Sequence, residues 1–393
     1  MAVTSPMTHD ELVAAAERLA PVFEKTAREA EIARRPLDQV IDAVRDSGLF
    51  SLMMPRRYGG HEADLDTFFE VVLTLSQADT AMGWLTGFYI EHCFWFCGFP
   101  ESFQTELFAD RDHVLAPGAI NVGAGQAVEV DGGYRVDGRW QWGTGIVHAD
   151  WVLAGAMVRT GDGGIDPRFF ALPREQVETV DTWHVAGMCA TGSLDMVIDD
   201  VFVPSERAAS MIDLVNGTGE GPRLHDGDLY RTPLMPILAF AAGTPILGAA
   251  KLVVEQYRRQ TMAKLAAGAP SIGGKDRDAT KPAVAAEAAL HVDAAELVFR
   301  SVLAEVLEQR DEASMTTRSA WLARITHAVL MCRDAVQSIS SVTGASGAFL
   351  DNPIQRALRD VTTASNHVVF DRESRYADHG RLLLDQPLQN LMV

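Results

Sequence analysis

The stretch VEVDGGYRVDGRW, residues 128–140, alternates apolar and polar side chains and contains two Asp-Gly pairs. An alternation of period two predicts a β-strand with one buried face, and an Asp-Gly pair between two such runs predicts a tight turn. Two further runs, residues 151–158 and 194–203, are short and strand-like. This part of the chain therefore predicts a unit built mostly of β-strands.

The residues on both sides of this β unit follow a helical spacing. On the N-terminal side, Leu12, Ala16 and Leu19 recur in steps of four and three, and residues 284–306 and 322–339 carry longer apolar stripes of the same kind. Such steps place apolar side chains on one helix face. The sequence therefore predicts three units in order: an N-terminal α domain (1–112), a middle β domain (113–222) and a C-terminal α-helical bundle (223–393).

Composition narrows the classes of partner. The chain has 393 residues, is 47% hydrophobic and carries a formal net charge of −19, which would repel phosphate backbones and anionic lipid. We therefore expect neither nucleic acid nor a membrane surface as a partner. The N-terminus has no apolar segment typical of a secretory signal, so the expected location is the cytoplasm.

One apolar run needs a separate interpretation. Residues 232–250 are uncharged over nearly the length of a membrane span, but three prolines and two glycines interrupt them. We interpret this run as the start of a buried helix. Four scattered cysteines predict neither a disulfide framework nor, with the single neighbour His92, a zinc site, so no metal is expected.

Five local strings, in this order, resemble the acyl-CoA dehydrogenase superfamily across nearly the whole chain. They are GLFSLMMPRRYGG (48–60), DGGYRVDGRW (131–140) with TGIVHADW (144–151), Gly192-Ser193, VFVP (201–204) and Arg359-Asp360. The resemblance implies an α+β fold with an N-terminal α-bundle, a middle β domain and a C-terminal four-helix bundle. It also implies a homotetramer.

In that superfamily a flavin lies between the β domain and the C-terminal bundle. Carried onto this chain, the resemblance implies that the flavin is bound by Trp140, Thr144, Gly145, Ser193 and Arg359. A Thr-Gly turn can present a hydroxyl and a close backbone N–H to the edge of the flavin ring, which a bulkier residue would block.

The residues after Arg359-Asp360 distinguish two activities within the superfamily. Acyl-CoA dehydrogenases commonly carry their catalytic carboxylate in a Glu-Gly-Thr string after this pair, whereas here the chain reads VTTASNHVVF (361–370). The late histidine, His367, resembles that of the oxygenase components of two-component aromatic monooxygenases. The resemblance therefore implies a monooxygenase that takes reduced FAD or FMN from a separate, transiently bound flavin reductase, since the chain lacks a nicotinamide-binding fingerprint.

In such oxygenases, reduced flavin and O2 form a C4a-hydroperoxide whose outer oxygen is attacked by an electron-rich ring. An imidazole that accepts or holds a phenol or indole proton raises the electron density of that ring. We predict this role for His367, with Thr144 and His92 as further catalytic residues.

The intermediate needs a dry pocket, for which Trp84, Phe88, His92, Trp140 and Trp142 are the candidate walls. Trp84 and His92 lie eight residues apart, about 80° apart around one helix, so both can border a single cleft. Related oxygenases often carry a serine in the loop that here reads LAPGAINVG (115–123), where none is present. This difference favours an indole-like or bulky substrate over a simple phenol.

Two other classes of function remain open from the sequence. One is a different enzyme of the same fold, either an acyl-CoA dehydrogenase or oxidase or an N-oxygenating relative. The other is a non-catalytic flavin-binding scaffold, which the retained Thr144, Ser193, Arg359 and His367 disfavour.

Overall fold

The computed structural model describes residues 5–160, 164–266, 275–389 and 393, and in them helices precede and follow one β-sheet along the chain. The first four residues of the expected N-terminal unit lie outside this set. The helical and strand-like patterns predicted from the sequence are confirmed in type and order.

Five α-helices precede the sheet in the described part of the chain. The first begins at a capping box, in which Thr8 accepts from Glu11 N while the Glu11 side chain accepts from Thr8 N. The five are α1 (His9–Ala33), α2 (Asp38–Asp46), α3 (Leu65–Ser76), α4 (Thr80–Phe96) and α5 (Glu101–Phe108). Every residue of α4 is buried, because α3, a later helix and the short turn Cys189–Thr191 enclose it.

The sheet has eight strands among the described residues, in the order β6-β7-β3-β2-β4-β5-β8, with β1 parallel to β4. They are β1 (Gly118–Ala119), β2 (Gly125–Val130), β3 (Gly133–Gly143), β4 (Trp151–Arg159), β5 (Ile165–Pro173), β6 (Glu178–Val180), β7 (Leu194–Pro204) and β8 (Ala208–Ser210). The predicted hairpin is β2–β3: Val130 pairs with Gly133, and Gly132 has φ +76°, which suits glycine at this turn. The pairing of β3 with β7 is irregular between Trp140 and Gly143.

Helices follow the sheet to the end of the described chain: α6 (Met211–Asn216), α7 (Gly221–Leu224), α8 (Leu234–Ala266), α9 (Lys275–Gln309), α10 (Met315–Val342), α11 (Pro353–Ala364) and α12 (Arg372–Leu383). The long helices α8, α9 and α10 pack on one another, and α11 packs on α8 and α10. By length and a hydropathy of 1.9, α8 is the one described helix that could cross a membrane, yet 83% of its most apolar window is buried inside the protein. It is the central helix of the bundle.

The two helical units share one hydrophobic core. Helix α8 packs against α3 and α4, and the ring of Phe69 lies 6.0 Å from that of Phe240 and 6.2 Å from that of Phe299. The sheet has a second core, which includes Trp140, Val152 and Ile198. A cavity of about 1280 Å³ opens where the shared helical core meets the sheet.

Candidate active site

A cavity of about 1280 Å³ lies between α4, strands β1 and β3, and the segment after α11. Most of the residues that the sequence predicted for the site line this cavity: Trp84, Phe88, His92, Trp142, Thr144, Ser193 and His367. Trp140, Gly145 and Arg359 are not among the described residues that line it.

Helix α4 supplies the aromatic wall. Because a helix has about 3.6 residues per turn, Trp84, Phe88 and His92 form one stripe along its surface. Their rings touch in sequence, with centroids 4.8 Å apart for Trp84 and Phe88 and 5.3 Å apart for Phe88 and His92. His367 closes the group from the segment after α11, 5.6 Å from the Trp84 ring and 5.9 Å from the Phe88 ring.

The two histidines have opposite hydrogen-bonding capacities. His92 Nδ1 lies 2.7 Å from the Ala116 carbonyl oxygen, which can only accept, so Nδ1 carries the proton and Nε2 keeps a free lone pair. His367 Nδ1 accepts from the backbone N–H of Val369 at 3.3 Å, so in the neutral ring its proton is on Nε2. His92 is therefore the acceptor of the pair and His367 the donor.

Burial keeps both rings neutral at neutral pH. Burial is the main reason that the pKa of His92 falls from 6.5 to about 4. The hydrogen bond to Ala116 opposes this shift, and nearby His367 adds to it. Burial also lowers the pKa of His367 to about 4. His367 keeps some accessible surface because it faces the cavity. The sequence predicted that His367 accepts a substrate proton or holds it by a hydrogen bond; the bond from Val369 to Nδ1 places the proton of the neutral His367 ring on Nε2, where it can donate.

Three hydroxyl groups lie together at the β3 side of the cavity. Thr144 Oγ1 is 3.1 Å from Ser193 Oγ, which is 2.7 Å from Thr191 Oγ1, and Thr191 donates to Met188 O at 2.9 Å. The cluster Thr144–Ser193–Thr191 can donate to and accept from a polar ring edge.

Gly145 shapes the turn that presents Thr144 but does not itself reach the cavity. It has φ +74°, and a Cβ there would lie 2.2 Å from the Tyr89 hydroxyl oxygen. The Tyr89 hydroxyl donates to Gly145 O, and Gly145 N donates to Thr191 O at 2.9 Å. These contacts require glycine at this position.

Trp140 lies elsewhere than predicted. Its side chain is fully buried in the sheet core, where Nε1 donates to Gly155 O at 2.7 Å. Trp142, within the irregular stretch of the β3–β7 pairing, is 55% exposed and lies at the cavity with its ring 6.3 Å from that of Trp183. An aromatic contact from β3 to a bound ring must therefore come from Trp142.

Arg359 and Asp360 act on the turn before β7 rather than on the cavity. Arg359 pairs with Glu31 at 2.5 Å and donates to Ala186 O at 2.7 Å. The Asp360 carboxylate accepts from Met188 N at 2.5 Å, and burial raises its pKa to about 7. The pair fixes the backbone that carries the Thr191 and Ser193 hydroxyls.

Sequence reasoning missed two residues. Thr191 lies in a short turn without periodicity, so no pattern indicated it. Glu91, fully buried beside His92, is the one acid within the apolar helix α4, and an isolated charge in such a run was a usable signal.

The comparisons with known proteins agree with this geometry. The sequence profile described as "Acyl-CoA dehydrogenase, C-terminal domain" matches residues 240–372. The chain is 34% identical to the pigment production hydroxylase of a Rhodococcus species, over 98% of this chain and 100% of that protein. It is 33% identical to the oxygenase component of the FADH2-dependent resorcinol hydroxylase of a Rhizobium species, over 92% and 90%. The crystal structure of 3-HSA hydroxylase from Rhodococcus sp. RHA1 superimposes with a TM-score of 0.92 at 27% identity, covering 98% of this chain and 99% of that one.

Proposed function

Since this chain belongs to the oxygenase components of flavin-dependent aromatic hydroxylases, which have the acyl-CoA dehydrogenase-like fold, we propose that it hydroxylates a small phenolic or indole-type ring bound beside His92 and His367. The family predicted from the sequence strings is thereby confirmed. The single observation that carries the proposal is the pair of neutral imidazoles, one acceptor and one donor, in a wall of aromatic rings.

The residues of the cavity fit a reduced flavin. The cavity volume of about 1280 Å³ exceeds the range typical of pockets for one small ligand, so a flavin and a substrate can share the cavity. The hydroxyls of Thr144 and Ser193 would hold the polar edge of the flavin ring, and Trp142 and Trp183 would pack against the flavin near the opening. Bound reduced flavin supplies the two electrons with which O2 delivers one oxygen atom to the ring and releases the other as water.

The two histidines make different hydrogen bonds during the reaction, His92 as an acceptor and His367 as a donor. The ring hydroxyl or ring N–H donates to His92 Nε2, which draws its proton away and raises the electron density of the ring. His367 Nε2–H donates to a substrate oxygen or to the oxygen being transferred, where negative charge develops. Because the pKa of each imidazole is about 4, neither carries a positive charge that would withdraw electrons from the ring.

The aromatic wall keeps the reacting atoms away from water. Trp84, Phe88 and His92 are at most 7% exposed, so this side of the cavity is closed by the core of α4. A closed apolar wall limits hydrolysis and unproductive loss of the oxygen as peroxide.

The segment that carries Gly118 bears on the class of substrate. Gly118 lines the cavity, and a Cβ there would lie 2.7 Å from His92 Nε2. The loop thus supplies no side-chain hydroxyl at this position, and its backbone packs closely against His92. A loop without that hydroxyl favours a fused ring with an N–H, or a substituted phenol, over a simple phenol.

We also propose that the enzyme is a cytoplasmic homotetramer and that it receives reduced flavin from a separate reductase. Leu290 and Leu297 on α9 are 66% and 69% exposed, and Phe349 and Leu383 are 71% and 73% exposed. Apolar side chains in such numbers support burial against other subunits. The oligomeric state would be measured by sedimentation.

The test is turnover with chemically reduced flavin. Purified protein, reduced FAD or FMN, and a panel of phenols and indoles are mixed with oxygenated buffer, and hydroxylated product and hydrogen peroxide are measured per flavin consumed. We expect at least one aromatic compound to give product and to suppress peroxide. Acyl-CoA-dependent dye reduction without any aromatic hydroxylation would refute the proposal.

A further inference from the structure

Glu91 immediately precedes His92 on α4, and its side chain is fully buried. One carboxyl oxygen accepts from Trp95 Nε1 at 2.5 Å. The other, Oε2, has no hydrogen-bond partner and lies 3.4 Å from His92 Nε2, which also has none. Two adjacent buried polar atoms without partners are unusual and costly, and this points to a function for the pair.

We propose that Glu91 is a positioning residue for His92 and decides whether the imidazole can take the proton that the substrate's ring O–H or N–H releases. The inference rests on the proposed function, in which the substrate donates to His92 Nε2. Glu91 itself is not among the described residues that line the cavity, so it acts through His92.

The geometry leaves a single nitrogen for this proton. His92 Nδ1 is committed to Ala116 O, so an added proton must go to Nε2, which is buried and has no hydrogen-bond partner. The proton then moves from the substrate oxygen or nitrogen to His92 Nε2, and the electron pair of the broken bond stays on the substrate. An ionised Glu91 at 3.4 Å stabilises the resulting imidazolium, whereas a neutral carboxyl group does not.

The protonation of Glu91 therefore controls the basicity of His92. Burial raises the pKa of Glu91 to about 8, and the hydrogen bond from Trp95 opposes this. Below this value the carboxyl group is neutral and the pKa of His92 stays near 4. As the pH rises through about 8, Glu91 ionises and a negative charge appears beside Nε2. Ring activation should thus increase with pH over this interval.

Other ionisable groups near the pair lie on the cavity wall and on α4 itself. His367 faces His92 from the segment after α11 and lowers its pKa, while Asp371 and Arg375 line the same cavity next to the start of α12. Cys93 follows on α4 itself, and burial raises the pKa of its thiol to about 12. Since the Cys93 thiol stays neutral and the pKa of His367 is about 4, neither changes charge where Glu91 does.

The test compares Glu91→Gln with a matched control on the same helix. Gln can still accept from Trp95 but cannot ionise. The control is Thr86→Val, which removes another buried, unpartnered oxygen from α4 without a change of shape. Two quantities are measured as a function of pH: the product formed per reduced flavin consumed, and the ionised fraction of 3-nitrophenol bound to the flavin-free full-length chain, read from its visible absorbance.

In the wild type and in Thr86→Val, we expect both quantities to rise through about pH 8. In Glu91→Gln, product per flavin should stay at its low-pH level, and the ionisation constant of the bound probe should fall roughly tenfold or more, because the stabilising carboxylate is gone. Trp95→Phe removes the bond that holds the pKa of Glu91 down, so its transition should move to higher pH.

Coincident pH curves for the wild type and Glu91→Gln would overturn the inference while leaving the proposed function intact. If Glu91→Gln does not fold, an unmoved transition in Trp95→Phe overturns it instead. Failure of the wild type to bind the phenol probe and to hydroxylate any aromatic compound would overturn the proposed function, and this inference with it.

Discussion

The two ring nitrogens of His367 have different surroundings, so substitutions can separate their roles. Nδ1 accepts from Val369 N at 3.3 Å and so caps the short helical turn Val368–Phe370, whereas Nε2–H is available to the cavity. His367→Asn places its Oδ1 near the position of Nδ1 and keeps the cap, but has no donor at the position of Nε2. His367→Gln places an N–H near Nε2 but loses the cap.

The two variants should therefore have different main defects, His367→Asn in hydroxylation and His367→Gln in stability. A donor to an oxygen on which charge develops contributes about 1.5–3 kcal/mol, so His367→Asn should lose roughly tenfold to hundredfold in hydroxylation. Its cap is retained, and the stability loss of about 1 kcal/mol reflects the missing ring contacts with Trp84 and Phe88. His367→Gln should lose a further 1 kcal/mol or so in stability because the cap is gone, yet hydroxylate nearer to the wild type.

The assay is product per flavin consumed, alongside urea unfolding of the same preparations. Both variants should bind reduced flavin like the wild type, because His367 is not part of the Thr144–Ser193–Thr191 cluster. If His367→Gln is as uncoupled as His367→Asn, the donor role is refuted, and the ring must act in another way, for example as a base.

Three further outcomes are expected. Thr144→Val should keep the fold but release more peroxide per flavin, by a factor that reflects about 1–2 kcal/mol for one lost hydrogen bond; unchanged peroxide would leave Thr144 a purely structural role. Anaerobic titration should show tighter binding of reduced than of oxidised flavin, because a component supplied by a separate reductase must capture the former and release the latter; equal affinities would contradict this. Since the pKa of His92 falls from 6.5 to about 4 on folding, the unfolded chain binds more protons between these values, and stability should rise with pH across that interval. His92→Gln should flatten the slope in urea unfolding, and an unchanged slope would argue against the lowered pKa.

The fold was predictable from the sequence where local rules decide it. The Asp131-Gly132 pair between alternating runs specified the hairpin, and the helical stripes specified the long helices. The shared core could not be predicted in this way. The packing of Phe69 against Phe240 and Phe299 joins residues far apart in sequence, and no spacing rule reports such a contact.

The site was predictable to the extent that helix geometry places residues. The spacing of four brought Trp84, Phe88 and His92 to one face of α4. Strand alternation would place Trp140 and Trp142 on the same face, but the irregular pairing between Trp140 and Gly143 puts one in the core and leaves the other exposed at the cavity. A bulge of this kind has no reliable signal in a single sequence.

The roles of the two histidines depend on their backbone partners, which no motif contains. The carbonyl of Ala116 makes His92 an acceptor, and the N–H of Val369 makes His367 a donor. Burial then makes both neutral, and this has a cost for His92, because a ring with a pKa of about 4 is a weak base for a phenol or indole proton. An imidazole left in water would be a better base, but it would be partly protonated near neutral pH, and the protonated fraction could not accept. A buried carboxyl group next to the acceptor nitrogen resolves this conflict, since it can raise the basicity of His92 by ionising while the ring stays neutral until the substrate's proton arrives. This is why Glu91, although it lies outside the cavity wall, belongs to the chemistry of the site.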